Sequence, residues 1–381
     1  MMNALALTHL SLPNHPTLHD PAVILADGYI QKILPRTELP TTIPQQDCQG
    51  HILAAGFIDT QVNGGGGVMF NDHPNLQGIQ TIQHAHYSGG TTAMLPTLIT
   101  DSHAVMEQAI EAVAQGIEQL PGILGIHLEG PHLSLPKRGV HSDTHIRPFD
   151  QQTLALLDIL PAHQYLLTVA PEILAAGTIS MLIKRGIRVN AGHSAATYQQ
   201  TCEALAEGLS GFTHLYNAMT PITGREPGVV GAALADPNSY CGIIIDHHHL
   251  HPLTAQLAIG SKATGKMLLV TDAMATVGSQ HNYFELYGET IYATQGRCAK
   301  EDGTLAGSAL DMATAVRNCV NDLEIPLAEA LRMASLYPAT FLGLEHEYGQ
   351  IKPGYRADLV LLDTQLLVQQ TWVAGTLCYE V

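Results

Sequence analysis

At 381 residues, 46% of them hydrophobic and 13% charged, the chain can bury a large core in one to three domains and is too apolar to be disordered. Its formal net charge of −17 argues against nucleic acid or an anionic membrane surface as the main partner, so any phosphate on a ligand must be met by a few placed Arg or His side chains. Six scattered cysteines with no CxxC pair predict reduced thiols. Met1–Leu12 has no basic segment ahead of a long apolar stretch, and no apolar run reaches bilayer length, so the expectation is a cytoplasmic enzyme.

Residues 1–52 read as short strands broken by turns at Pro13-Asn14-His15-Pro16, Ala26-Asp27-Gly28 and Pro40-Thr41-Thr42-Ile43-Pro44. The C-terminal residues look alike, with a strand over Ala357–Asp363 and a hairpin near Thr371–Gly375. Together they predict a small β-sandwich domain built from both termini, 1–52 and 349–381, around a central domain at 53–348. That centre alternates. Apolar strand candidates fall near 54–59, 92–98, 123–129, 165–170, 187–192, 210–214, 241–246 and 267–272. Helical spacing links Ala104, Val105, Ala109, Ile110, Val113 and Ile117, and recurs over Thr197–Glu207 and Leu253–Lys262. The pattern predicts an α/β fold, a (β/α)8 TIM-like barrel. A doubly wound sheet is disfavoured because no GxGxxG turn follows the first strand. Gly64-Gly65-Gly66-Gly67 lacks the Lys-Ser/Thr ending of a nucleotide loop and reads as a flexible strand-to-helix connection.

Four residues end strand candidates: Glu129 the third, His193 the fifth, His214 the sixth and Asp272 the eighth. A parallel barrel gathers such ends at one mouth. With 21 histidines in the chain, any one of these positions is more often a satisfied rim residue, and Asp272 could simply cap a helix. Three potential ligands on strands three, five and six favour a metal. Two imidazoles and a carboxylate leave an open position on a zinc-like ion, and Asp272 is then free to act as base.

The chain resembles the amidohydrolase superfamily, most closely its N-acetylglucosamine-6-phosphate deacetylases. Several segments carry the resemblance: Ala55–Gly64, Leu128-Glu129-Gly130-Pro131, Ala191-Gly192-His193-Ser194, His214-Leu215-Tyr216-Asn217-Ala218-Met219, Gly224-Arg225-Glu226-Pro227-Gly228, Val270-Thr271-Asp272-Ala273 and Leu305-Ala306-Gly307-Ser308. It implies that Glu129, His193 and His214 hold one divalent ion per subunit, zinc foremost with iron, cobalt or manganese as alternatives. Asp272 becomes general base and acid in deacetylating a phosphorylated amino sugar with metal-activated water, and His141 polarises the substrate carbonyl. Substrate contacts are implied for Val140, Asn217, Ala218, Arg225, the Asp246-His247-His248-His249 segment with His249 favoured, Leu305, Ala306 and Gly307. Arg225 is expected to reach the neighbouring site of a homodimer.

Two departures narrow the resemblance. Gln61-Val62-Asn63 stands where many relatives carry His-x-His, and neutral amides are poor ligands, which favours a single ion. Tyr165–Pro171 offers no lysine for carbamylation, which weakens a dihydroorotase or hydantoinase assignment. An amidohydrolase acting on another amide is the nearer alternative, and a non-catalytic scaffold the more distant one.

Overall fold

The computed structural model describes residues 4–13 and 17–381. Most of the turn expected at Pro13-Asn14-His15-Pro16, and the first three residues of the chain, lie outside the described residues. The chain divides into two compact units, one of Met1–Asp59, His86–Ala93 and Asp311–Val381, the other of Thr60–Ala85 and Met94–Leu310.

Strands from both ends of the chain share one seven-stranded sheet. Leu5–Ser11 pairs antiparallel with Pro21–Ala26 and parallel with Gln45–Ala55, which in turn pairs antiparallel with Leu359–Leu362. The period of two in these strands sorts their side chains between two apolar clusters. Leu7, Val23, Leu25, Leu53, Leu359, Leu361 and Trp372 belong to one cluster. Ala6, Ala22, Ile24 and Leu34 belong to the other. Cys48 is buried in the first cluster, and burial pushes its thiol up to about 11. All six cysteines are free.

An eight-stranded sheet follows sequence order: Phe57–Val62, Thr91–Ile99, Ile126–Glu129, Tyr165–Val169, Arg188–Ala191, Gly211–Phe212, Tyr240–Ile243 and Met267–Leu269. A parallel bridge between Val62 and Ala273 joins its two ends, and the Asp272 N–H donates to Gln61 O at 3.0 Å. The sheet is a closed barrel. Each strand is followed by a helix, as in Leu76–Tyr87 after the first and His103–Gln119 after the second. The strands are buried on both faces because helices cover the outside and packed side chains, some of them polar such as Thr60, His127, Thr168 and Asn190, fill the inside. The second helix opens on Ser102, whose side chain accepts from Val105 N–H, and buries Met106, Ala109, Ile110 and Val113 at the predicted spacing.

One expectation is corrected. Gly64-Gly65-Gly66-Gly67 is a tight hairpin, with Gly64–Gly65 paired antiparallel to Val68–Met69. Gly66 and Gly67 take φ of 63° and 84° at its turn, where a side chain would be strained. A second feature had no expectation. A four-stranded antiparallel sheet, Tyr283–Leu286, Glu289–Thr294, Arg297–Ala299 and Leu305–Ser308, lies between the eighth strand and its helix Met312–Asn321. Its Phe284, Leu286, Ile291 and Cys298 share an apolar cluster with Met69, Ile99 and Met274.

Candidate metal centre and catalytic pocket

Three of the four strand-ending residues leave their strands through a left-handed backbone. His193, His214 and Asp272 have φ of 47°, 32° and 53°. For a residue with a Cβ this costs roughly 1–2 kcal/mol and persists only where the surroundings impose it. The surroundings here are bonded. The Asp272 carbonyl accepts from Ser308 N–H at 2.9 Å, the His193 carbonyl from Ser134 N–H at 3.0 Å, and the His214 carbonyl from Asn217 N–H at 3.0 Å. No helix begins at Asp272, so it is not a cap.

Glu129, His193 and His214 converge. His214 Nε2 lies 2.8 Å from Glu129 Oε1, His193 Nε2 lies 3.2 Å from the same oxygen, and the two Nε2 atoms are 3.0 Å apart. All three residues are buried. His193 Nδ1 is 2.8 Å from the Lys137 carbonyl, which can only accept, so the proton sits on Nδ1 and Nε2 presents a lone pair. A carboxylate and an imidazole lone pair aimed at one buried point require a proton or a cation between them. Their ligand atoms all lie within 4.8 Å of one another, a spread that a zinc-like ion bonded at about 2 Å to each can span. The donor set fits a divalent metal.

The charges agree with this. Burial raises the Glu129 carboxyl, but the adjacent His193 and His214 rings outweigh it and hold the group well below its ordinary range. Burial lowers His214, and the hydrogen bond and charge of Glu129, with the charge of Asp272, raise it overall. The site gathers positive charge.

Asp272 stands beside this cluster, held by amides. Gln61 Nε2 donates to Glu129 Oε2 and to Asp272 Oδ1, both at 3.1 Å, and Asn63 Nδ2 donates to Asp272 Oδ1 at 2.6 Å. Burial, then the charge of Glu129, pushes Asp272 up to about 6, against the pull of His214, His249 and the Asn63 hydrogen bond. A buried carboxylate poised near neutrality suits proton transfer. Gln61 thus ties the two carboxylates together, and Asn63 adds a second donor to Asp272.

His141 is also buried, with its ring 4.3 Å from that of His193 and its Nδ1 2.8 Å from Thr100 Oγ1. Burial foremost, then the neighbouring His193 ring, pushes it well below its ordinary value, so it is neutral.

Asn63, Glu129, His141, His193, His214 and Asp272 line one pocket of about 340 Å³. Among the implied substrate contacts, Val140, Asn217, Ala218, His249, Leu305 and Gly307 also line it. The others stand elsewhere. Ala306 is buried in the apolar cluster with Met274 and Phe284. Asp246 orients His249, with Oδ2 2.7 Å from its Nδ1 and Oδ1 accepting the backbone N–H of His248 and His249. His247 and His248 are exposed, and His248 Nε2 lies 3.0 Å from Gln295 O. Arg225 is exposed in the loop before helix Gly228–Ala235 and pairs with no acid among the described residues.

Several lining residues, Asn63 and Lys137 among them, were not marked as site residues in the sequence. Asn63 was set aside as a poor ligand. Lys137, whose Nζ donates to Met219 O at 3.1 Å, is the one Lys or Arg lining this pocket among the described residues. Its signal was available: Pro136-Lys137-Arg138-Gly139 runs directly into Val140 and His141.

The model of the amidohydrolase family matches residues 52–378, and that of the NagA composite domain matches residues 12–53. An N-acetylgalactosamine-6-phosphate deacetylase of Shewanella sp. (strain ANA-3) is 43% identical over 94% of this chain and 92% of its own length. An N-acetylglucosamine-6-phosphate deacetylase of Haemophilus influenzae is 38% identical over 95% of each. Among solved structures, N-acetylglucosamine-6-phosphate deacetylase from Pasteurella multocida superposes with a TM-score of 0.93 at 36% identity, covering 98% of this chain and 99% of that one.

Proposed function

Because the chain belongs to the amidohydrolase family, we propose that it hydrolyses the acetamide of an N-acetylhexosamine 6-phosphate. N-acetyl-D-glucosamine 6-phosphate is the first candidate, giving acetate and D-glucosamine 6-phosphate. The observation that carries this is the meeting of Glu129, His193 and His214 within 4.8 Å in the same pocket as Asp272. The galacto epimer is the second candidate, favoured by the relative that is 43% identical.

One divalent ion held by Glu129, His193 and His214 supplies a Lewis acid and water of lowered pKa when bound; zinc suits two imidazoles and a carboxylate, and iron, cobalt or manganese accept the same set. Asp272 takes the proton of the attacking water as its oxygen bonds to the acetyl carbon. It then delivers that proton to the sugar nitrogen as the C–N bond breaks. His141 hydrogen-bonds the carbonyl oxygen, where negative charge develops. Lys137 meets the phosphate from within the chain. Arg225 reaches the phosphate from a second copy in a homodimer, consistent with its exposure. Asn217, Ala218, His249, Leu305 and Gly307 enclose the sugar. No helix among the described residues is long and apolar enough to cross a membrane, and six free thiols suit the reducing cytoplasm.

Acetate release from both epimers, with and without a chelator, tests the proposal. Expected is chelator-sensitive release from at least one phosphorylated epimer. No acetate from either, with metal bound, contradicts it.

A further inference from the structure

We propose that Thr100 is a positioning residue that fixes the His141 ring with its proton on Nε2, so that this histidine meets the substrate carbonyl only as a donor. The substrate half of the statement rests on the function proposed above; the Thr100–His141 relation does not.

Thr100 directly follows the second barrel strand, Thr91–Ile99, and is buried. Its backbone N–H points at His141 Nδ1 at 3.3 Å, and its hydroxyl oxygen lies 2.8 Å from the same nitrogen. A backbone N–H can only donate. Nδ1 must therefore offer a lone pair, and the ring proton goes to Nε2, the nitrogen left for the pocket that His141 lines. The opposite arrangement would turn two N–H groups toward one another. It would also send the Thr100 hydroxyl proton to Glu129 O, 3.5 Å away and at the outer limit of a hydrogen bond.

Two further elements hold Thr100 in place. Tyr287, from the turn between the first two strands of the four-stranded sheet, donates its hydroxyl to Thr100 O at 2.6 Å. Gly130 leaves the hydroxyl its space, since a Cβ there would collide with Thr100 Oγ1. The glycine following the metal-ligand candidate Glu129 thus serves Thr100.

The test is ¹⁵N NMR of the imidazoles in zinc-loaded protein, with His141 assigned by difference from His141→Gln. Expected is a protonated Nε2 and an unprotonated Nδ1 in the wild type. A protonated Nδ1 overturns the proposal whatever the substrate proves to be. Thr100→Val keeps the backbone N–H, so the proton should stay on Nε2, while loss of the hydroxyl should shift the His141 Nδ1 resonance and lower kcat on the order of ten-fold, with KM and metal content little changed. Thr100→Ser should restore both readouts. A Thr100→Val protein with wild-type spectrum and wild-type kcat overturns the positioning role. If the wild type shows the expected tautomer yet releases no acetate from either epimer, the substrate assignment fails and the Thr100–His141 relation stands.

Discussion

Asn63 Nδ2 donates a 2.6 Å hydrogen bond to Asp272 Oδ1, linking a residue just past the first barrel strand to the carboxylate just past the last. Where many relatives of the resemblance carry a metal-binding histidine, this chain has a donor that lowers the proton affinity of its own base. Burial and Glu129 push Asp272 up to about 6, and Asn63 joins the charges of His214 and His249 in opposing them.

Removing that donor should be visible in the pH profile. Asp272 works as a base when ionised, so kcat/KM should fall as pH drops through its pKa. A bound cation lowers that pKa, and the wild-type acid limb should therefore lie at or below about 6. Asn63→Ala should move the limb upward, by about half to one pH unit. An unmoved limb in a metal-loaded variant would show that Asn63 does not tune the base.

Asp272→Asn should separate catalysis from stability. Its Oδ1 can still accept from Gln61 and Asn63, so metal content should persist while turnover falls by about 10²–10⁴. In metal-free protein the folded pKa of about 6 lies above the ordinary 3.8, so the folded state holds more protons between these values. Stability then falls as pH rises through that window, and the deficit persists above it. The stripped variant should accordingly be more stable to unfolding than the stripped wild type at pH 7–8, by roughly 1–3 kcal/mol, with the gap closing toward pH 4. Equal melting across that range would argue against a strained Asp272.

Lys137→Met should act on the phosphate. The Lys137 carbonyl that orients His193 is untouched, so metal binding should hold. KM for the phosphorylated sugar should rise about ten-fold or more, with kcat changed far less. The fall in kcat/KM should be larger for the phosphorylated than for the unphosphorylated sugar. Equal losses on both would place the lysine away from the phosphate.

The barrel was legible because its strands are apolar runs separated by helical spacing, and the run ending at Glu129 stops where the strand stops. Glu129, His193, His214 and Asp272 were legible because strand ends meet at one mouth. Their left-handed backbone at His193, His214 and Asp272 was not, because single-residue conformations leave no period in the sequence. Gly64–Gly67 misled because glycine marks both loose connections and tight turns, and only the pairing with Val68–Met69 distinguishes them. The donors Gln61 and Asn63 were read as ligands that fail, since sequence cannot tell a missing ligand from a present hydrogen bond. Among adjacent histidines, only His249 lines the pocket, because Asp246 holds the turn that aims it there.

The most direct measurement is a titration of chelator-stripped protein with zinc, following bound metal and acetate release together, in wild type and Glu129→Gln. Activity should be absent at the start, rise in step with binding and level off at one equivalent per chain, and the variant should neither bind tightly nor turn over. Full acetate release from stripped protein, or tight binding and turnover in Glu129→Gln, would contradict a reaction centred on Glu129, His193 and His214.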